Sequence, residues 1–258
     1  MIEYTVLCVV ALTASALTLF SGFGLGTLLL PAFLAFFDPP IAVAMTAVVH
    51  FANNLAKLGL VGRLADRTVV RRFGLPAILA SVVGARLLVT LSRREPIATY
   101  SLFAREHDVT LIGVVVGSLI ALFALWEVWP RLSRLSFPPA YLPIGGALSG
   151  FFGGLSGHQG ALRSAFLIRS GLSKEAYIGT GVVIACLVDT ARLALYGREI
   201  GFAAVRDEWR LAVAAVVCAV AGAFAGARVL PSVSMRFVRR VTTVLLLLVA
   251  VAIASGLT

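Results

Sequence analysis

Hydrophobic residues fall along this chain in ten runs separated by short polar or glycine-rich breaks: 4–22, 25–37, 41–62, 73–92, 109–129, 140–155, 159–170, 176–197, 209–230 and 237–257. Most are about 15–24 residues long, roughly the length that crosses a hydrocarbon core as a helix. They are continuous and lack the alternation of a barrel strand, so the predicted elements are membrane helices. The second and seventh runs are too short to span. Each follows a glycine cluster, and each is predicted to be either the completion of a broken helix or the return arm of a hairpin that dips into the membrane.

The two glycine clusters are alike. The first reads Ser21-Gly22-Phe23-Gly24-Leu25-Gly26 and precedes Pro31-Ala32-Phe33-Leu34; the second reads Gly153-Gly154-Leu155-Ser156-Gly157-His158-Gln159-Gly160 and precedes Ser164-Ala165-Phe166-Leu167. The likeness continues in order. After a two-residue shift, His50, Asn54, Lys57 and Gly62-Arg63 match Ala185, Asp189, Arg192 and Gly197-Arg198, and Gly84-Ala85-Arg86 matches Gly226-Ala227-Arg228. This predicts a duplicated unit: an N-terminal transmembrane repeat over 1–130, a linker over 131–139 and a C-terminal repeat over 140–258. Paired, glycine-interrupted hydrophobic segments in two halves of a membrane chain point to a transport site at the repeat interface.

Composition narrows the class. Sixty per cent of the residues are apolar and only 13% charged, against about a quarter charged in soluble domains; the chain is a polytopic membrane protein. The net charge of +10 does not imply a nucleic-acid partner, because the basic residues are spread over many loops with no aromatic-basic patch. Met1-Ile2-Glu3-Tyr4 lacks a basic n-region, so the first run is expected to be retained. Cys8, Cys186 and Cys218 lie in apolar runs without metal spacing and are expected to be buried thiols. No metal, cofactor or enzyme motif stands out.

Charge also separates two topologies. If each broken segment crosses once, there are eight spans, the repeats are parallel and basic residues divide almost evenly between the sides. If each is a helical hairpin, there are ten arms and the repeats are inverted. Arg63, Arg67, Arg71, Arg72, Arg131, Arg134, Arg169, Lys174, Arg236, Arg239 and Arg240 then share one side, and Arg93, Arg94, Arg105, Arg198, Arg206 and Arg210 the other. The positive-inside rule favours the lopsided, inverted arrangement with the basic loops in the cytoplasm. The expected fold is therefore an all-α polytopic membrane protein of two repeats, each a glycine-broken hairpin plus three spanning helices.

The candidate chemistry follows the same frame. Helix starts at Gly26-Thr27 and His158-Gln159-Gly160 would present unpaired N–H groups and partial positive charge at mid-membrane depth, where an anion is a good partner; close helix packing is the other use of such glycines. His50, Asn53, Asn54 and Lys57 fall at i, i+3, i+4 and i+7 on one stripe. The matching helix carries Asp189, Arg192 and Tyr196. Asp189 and Arg192, at i and i+3, suit a local ion pair. Lys57 has no carboxylate at the matched position and is the better candidate for a cation awaiting an anion, unless it and Arg192 snorkel to the interface. The expected substrate-contacting set is Gly24, Gly26, Thr27, Asn53, Asn54, Lys57, Gly157, His158, Gln159, Gly160 and Arg192, with His50 and Asp189 as candidate titrating groups for coupling to H+ or Na+. Arg163 lies one turn into the second broken helix. Arg86 and Arg228 are expected to orient span ends.

In these motifs, with Gly145-Gly146 and Gly150-Phe151-Phe152 leading into the second cluster, the chain resembles the TauE/SafE sulfite-exporter family, also called TSUP transporters, over essentially its whole length. The resemblance implies a secondary transporter of the bacterial inner membrane that moves small sulfur-containing or organic anions such as sulfite, sulfoacetate or related sulfonates, often outward. The Gly-His-Gln-Gly of the second cluster departs from the plainer glycine run of many members. A different class of role, an integral-membrane assembly partner or an intramembrane enzyme, would instead bury the polar stripe against another chain or use it to hold a nucleophile.

Overall fold

The computed structural model describes residues 2–21, 25–102, 105–199, 208–229 and 235–257. Among these residues are ten α-helices, one for each hydrophobic run: α1 Ile2–Ser21, α2 Leu25–Leu34, α3 Pro39–Val61, α4 Arg67–Ser92, α5 Leu111–Val128, α6 Leu142–Ser156, α7 Gly160–Leu167, α8 Lys174–Glu199, α9 Trp209–Val229 and α10 Met235–Ala254. Local chemistry sets their ends. Proline occupies the first turn of α3 and α6, where its missing N–H costs nothing. Asp66 caps α4 by accepting from the Val69 N–H at 2.8 Å, and Thr110 caps α5 through the Gly113 N–H at 3.1 Å. Helix α6 ends on Gly157 at φ 77°, a left-handed conformation that glycine adopts without steric cost.

Three helical segments, Pro39–Leu64, Arg67–Ser92 and Lys174–Glu199, are long and apolar enough to cross a membrane. The 10-residue α2 and 8-residue α7 are about 15 and 12 Å long, at most about half of a hydrocarbon core of about 30 Å. Helix α7 returns alongside α6. The Phe166 ring near its end lies against Gly145 in the first turn of α6, and the Phe137 N–H before α6 donates to the Ala165 carbonyl at 3.1 Å. The second glycine cluster is therefore the tip of a helical hairpin.

Close packing accounts for other glycines of α6. A Cβ on Gly146, Gly150 or Gly154 would run into the backbone carbonyl of Phe73, Ala77 or Ser81 of α4, respectively. Four-residue spacing on both helices brings the backbones together along one stripe, as small residues allow in membranes. Helix α1 packs on α9, α4 on both α6 and α8, α3 on α8 and α9, and α5 on α10.

Two rims result. One holds the α3–α4 turn and the start of α8, where the Asp66 N–H donates to Thr180 Oγ1 at 2.9 Å; Val69, Phe73, Leu142, Phe166 and Ile184 cluster beneath it. The other gathers Asp38, Ser92, Arg93, Thr110 and Glu199 around one surface cavity. There Glu199 at the end of α8 pairs with Arg86 and, at 3.3 Å, with Arg93, so Arg86 holds a partner across the bundle as well as lying near a span end.

One element departs from the all-helical expectation. Ala98–Leu102 (β1) and Arg105–Val109 (β2) form an antiparallel hairpin, with Ala98 opposite Val109 and Tyr100 opposite His107. Its polar, β-branched and aromatic residues suit a small exposed ribbon. Tertiary contacts hold it: Tyr100 donates to the Ser255 carbonyl at 2.8 Å and His107 Nδ1 to that of Gly256 at 3.1 Å, both just beyond α10.

Candidate functional site

Helix α6 ends inside the bundle, where water is not available to its last carbonyl groups. Two side chains of α8 serve them. Arg192 Nη1 donates to the Gly153 carbonyl at 2.9 Å, and the Tyr196 hydroxyl donates to that of Gly154. The four-residue spacing of Arg192 and Tyr196 places both on the face of α8 that meets the hairpin tip.

An arginine so deeply buried, 1% exposed, needs a counter-charge. Asp189, one turn earlier and 0% exposed, supplies it: its Oδ1 accepts from Arg192 Nε at 2.9 Å and lies 2.8 Å from Nη2. The same oxygen accepts from Gln159 Nε2 at 3.1 Å. Its Oδ2 lies 2.6 Å from His50 Nδ1 of α3. One carboxylate thus joins α8, the hairpin tip and α3. Asn54 braces His50 from one turn away, donating to its backbone carbonyl at 2.9 Å. Gln159 is held further: its carbonyl accepts from Ser149 at 2.9 Å and its side-chain oxygen from Arg163 Nη1 at 3.3 Å.

The two glycine regions meet here. A Cβ on Gly26, in the first turn of α2, would lie 3.3 Å from the Gly157 carbonyl and 3.7 Å from Thr46 of α3. Gly26, Thr27, Asn53, Asn54, Gly157, His158, Gln159, Gly160 and Arg192 are all buried, as are His50 and Asp189, on α2, α3, α7, α8 and the tip. Gly24 lies outside the described residues, as do Gly22, Phe23 and the side chain of Arg228. Lys57 is one turn beyond Asn53 and Asn54, half-buried, on the way to the basic rim. It is close enough to Arg163 for mutual repulsion, and among the described residues neither is in a salt bridge.

Most polar groups of this cluster are satisfied by the protein. Among the described residues three buried atoms are not: Thr46 Oγ1, Asn53 Nδ2 and His158 Nε2. Asn53 keeps its oxygen on Ser15 at 3.2 Å and leaves its amide donor open. The His158 ring stacks on Phe123 with centroids 5.3 Å apart, and its Nδ1 lies 3.0 Å from the Ser156 carbonyl. A carbonyl can only accept, so Nδ1 carries a proton, and in a neutral ring the buried Nε2 is then a lone pair without a partner. Unpaired buried polar atoms are costly, so each of the three is a candidate contact for a small polar guest.

Thr46 escaped the sequence reading, although it sits one turn before His50 on the same stripe and extending the pattern backwards reaches it. Ser15, Ser149 and Phe123 had no such signal, because their roles arise from helices distant in sequence. A family model described as sulfite exporter TauE/SafE matches residues 7–253. No curated protein and no solved structure gave a match.

Proposed function

The chain belongs to the sulfite exporter TauE/SafE family, whose members are membrane transporters and not enzymes, and on that premise we propose that it exports a small sulfur-containing or organic anion by alternating access. The substrate is sulfite, sulfoacetate or a related sulfonate, bound where Gly26 of α2 meets the Gly157 tip. The observation that carries this reading is the set of buried atoms without a hydrogen-bond partner among the described residues, Asn53 Nδ2 and Thr46 Oγ1 of α3 and His158 Nε2 of the tip. An oxyanion accepts from the Asn53 amide and the Thr46 hydroxyl, and the first turns of α2 and α7 add N–H groups and partial positive charge. His158 Nε2 accepts the O–H of a protonated oxyanion such as hydrogen sulfite. Lys57 and Arg163 form a cationic approach from the basic rim, which faces the cytoplasm of a bacterium.

Helix packing supports two repeats, 1–130 and 140–258, related by a pseudo-twofold exchange, and the charge distribution favours their inversion. Exchanging α1–α5 with α6–α10 turns the α1–α9 contact into α6–α4 and the α4–α8 contact into α9–α3, while α3–α8 and α5–α10 map onto themselves. Rocking of one repeat against the other then opens the site to either side. The His50–Asp189 pair, bridging α3 and α8, is the coupling element, and H+ is the ion that a histidine–carboxylate pair handles most directly.

Purified protein in liposomes tests this. Saturable flux of sulfite, sulfoacetate or thiosulfate, reduced tenfold or more by Asn53→Leu and weakened by Lys57→Ala, is expected. Absence of flux for every one of these anions, together with no effect of Lys57→Ala on any candidate, rules the reading out.

A further inference from the structure

The α3–α4 turn and α8 enclose a surface cavity of about 380 Å³ on the basic rim, away from the buried site. Arg63, Arg67 and Arg71 line it. All three are exposed, and none is in a salt bridge among the described residues. The neighbouring Asp66 commits a carboxylate oxygen to capping α4, so the local balance remains positive. The rest of the wall is largely apolar: Val70, Leu75, Ile78, Val183 and Leu187, of which Leu75 is 56% and Leu187 38% exposed.

The order of these residues carries the inference. Arg67, Arg71 and Leu75 fall at i, i+4 and i+8 on one stripe of α4, so Leu75 lies about 12 Å below Arg67 along the helix. The cavity therefore passes from cationic to apolar along the direction in which a lipid passes from headgroup to acyl chain. A soluble anion has no use for the apolar floor. A zwitterionic headgroup would bring an ammonium group to a cavity with no acidic lining residue. Basic pockets between membrane helices suit anionic headgroups.

We propose that this cavity binds an anionic phospholipid, its phosphate on Arg63, Arg67 and Arg71 and one acyl chain along Leu75, Ile78 and Leu187. The lipid would tie the α3–α4 turn to α8 beside the Asp66–Thr180 hydrogen bond. The proposal requires only that the chain spans a membrane, and it stands whichever anion is transported.

The test is lipid retention and thermal stabilisation of the full-length protein in detergent, titrated separately with phosphatidylglycerol, phosphatidylcholine and inorganic phosphate. Phosphatidylglycerol should be retained at least tenfold better than phosphatidylcholine and raise the unfolding temperature, with phosphate giving no such rise. The triple variant R63Q/R67Q/R71Q should lose the preference, and R131Q/R134Q, which alters basic residues outside the cavity, should keep it. The single variants R67Q and R71Q, at exposed positions, should each show a partial loss and carry the result if the triple variant does not fold. Equal loss in R131Q/R134Q, no loss in the cavity variants, or stabilisation by phosphate matching that by phosphatidylglycerol overturns the proposal.

Discussion

At the residue scale, the site divides into side chains that hold the protein and side chains left open. Asn53 is of the second kind. Asn53→Leu should weaken anion binding by about 10- to 100-fold, the value of one hydrogen bond to a charged partner, and binding isotherms or the KM for flux would read it. Asp189 is of the first kind. Asp189→Asn leaves Arg192 as an uncompensated buried cation and should cost about 3–5 kcal/mol of stability, visible as a lowered unfolding temperature before any transport assay. His50 faces Asp189 directly, is braced by Asn54, and has Arg192 and Arg163 nearby. If it carries the coupling proton, His50→Gln should flatten the pH dependence of transport while substrate binding at fixed pH persists. An unchanged pH profile would move coupling away from this pair.

At the element scale, glycine has two different jobs that a sequence writes with the same letter. Gly146, Gly150 and Gly154 bring α6 against the α4 backbone, whereas Gly157 turns the chain at φ 77°. Gly150→Ala places a methyl group against the Ala77 backbone and should destabilise by about 1–3 kcal/mol, as overpacking does. Gly59 is a control: nothing lies within 4 Å of a Cβ built there. Gly59→Ala in the last turns of α3 should leave thermal unfolding unchanged or raise it, by up to about 1 kcal/mol of helix propensity. The ten hydrophobic runs matched the ten helices closely because run length and caps are local properties. The β1–β2 hairpin was not legible in that way. Its strands are short and polar, and they are held by the backbone carbonyl groups of Ser255 and Gly256, about 150 residues away.

At the scale of the whole molecule, the proposed alternating access would turn on the two rims. Arg86, Arg93 and Glu199 tie the end of α4 to the end of α8 on one rim. Exposed ion pairs contribute about 0–1 kcal/mol, too little to matter for folding but enough to shift a two-state population about fivefold. In a background with the three native cysteines replaced by serine, cysteines at positions 57 and 158 should be labelled by a water-soluble thiol reagent from alternate sides as substrate and gradient change. Glu199→Gln should shift that labelling towards the rim it unlatches. Protection of both positions under every condition would instead place the polar stripe against another protein surface.

The sequence by itself determined the class of protein, the approximate positions of the hydrophobic segments, the two glycine clusters and the residue types around them. These follow from hydrophobic run length, caps and spacing, which act over a few residues. Only the tertiary structure decided which of those residues are engaged. His50 meets Asp189 across 139 positions, and Arg192 reaches the Gly153 carbonyl across 39. Asn53 keeps an open donor while Asn54, the next residue, does not. Adjacent positions on a helix point about 100° apart, so the rotation and crossing of α3 against α8 and the hairpin tip, and not the identity of the side chain, set which polar atom is left without a partner.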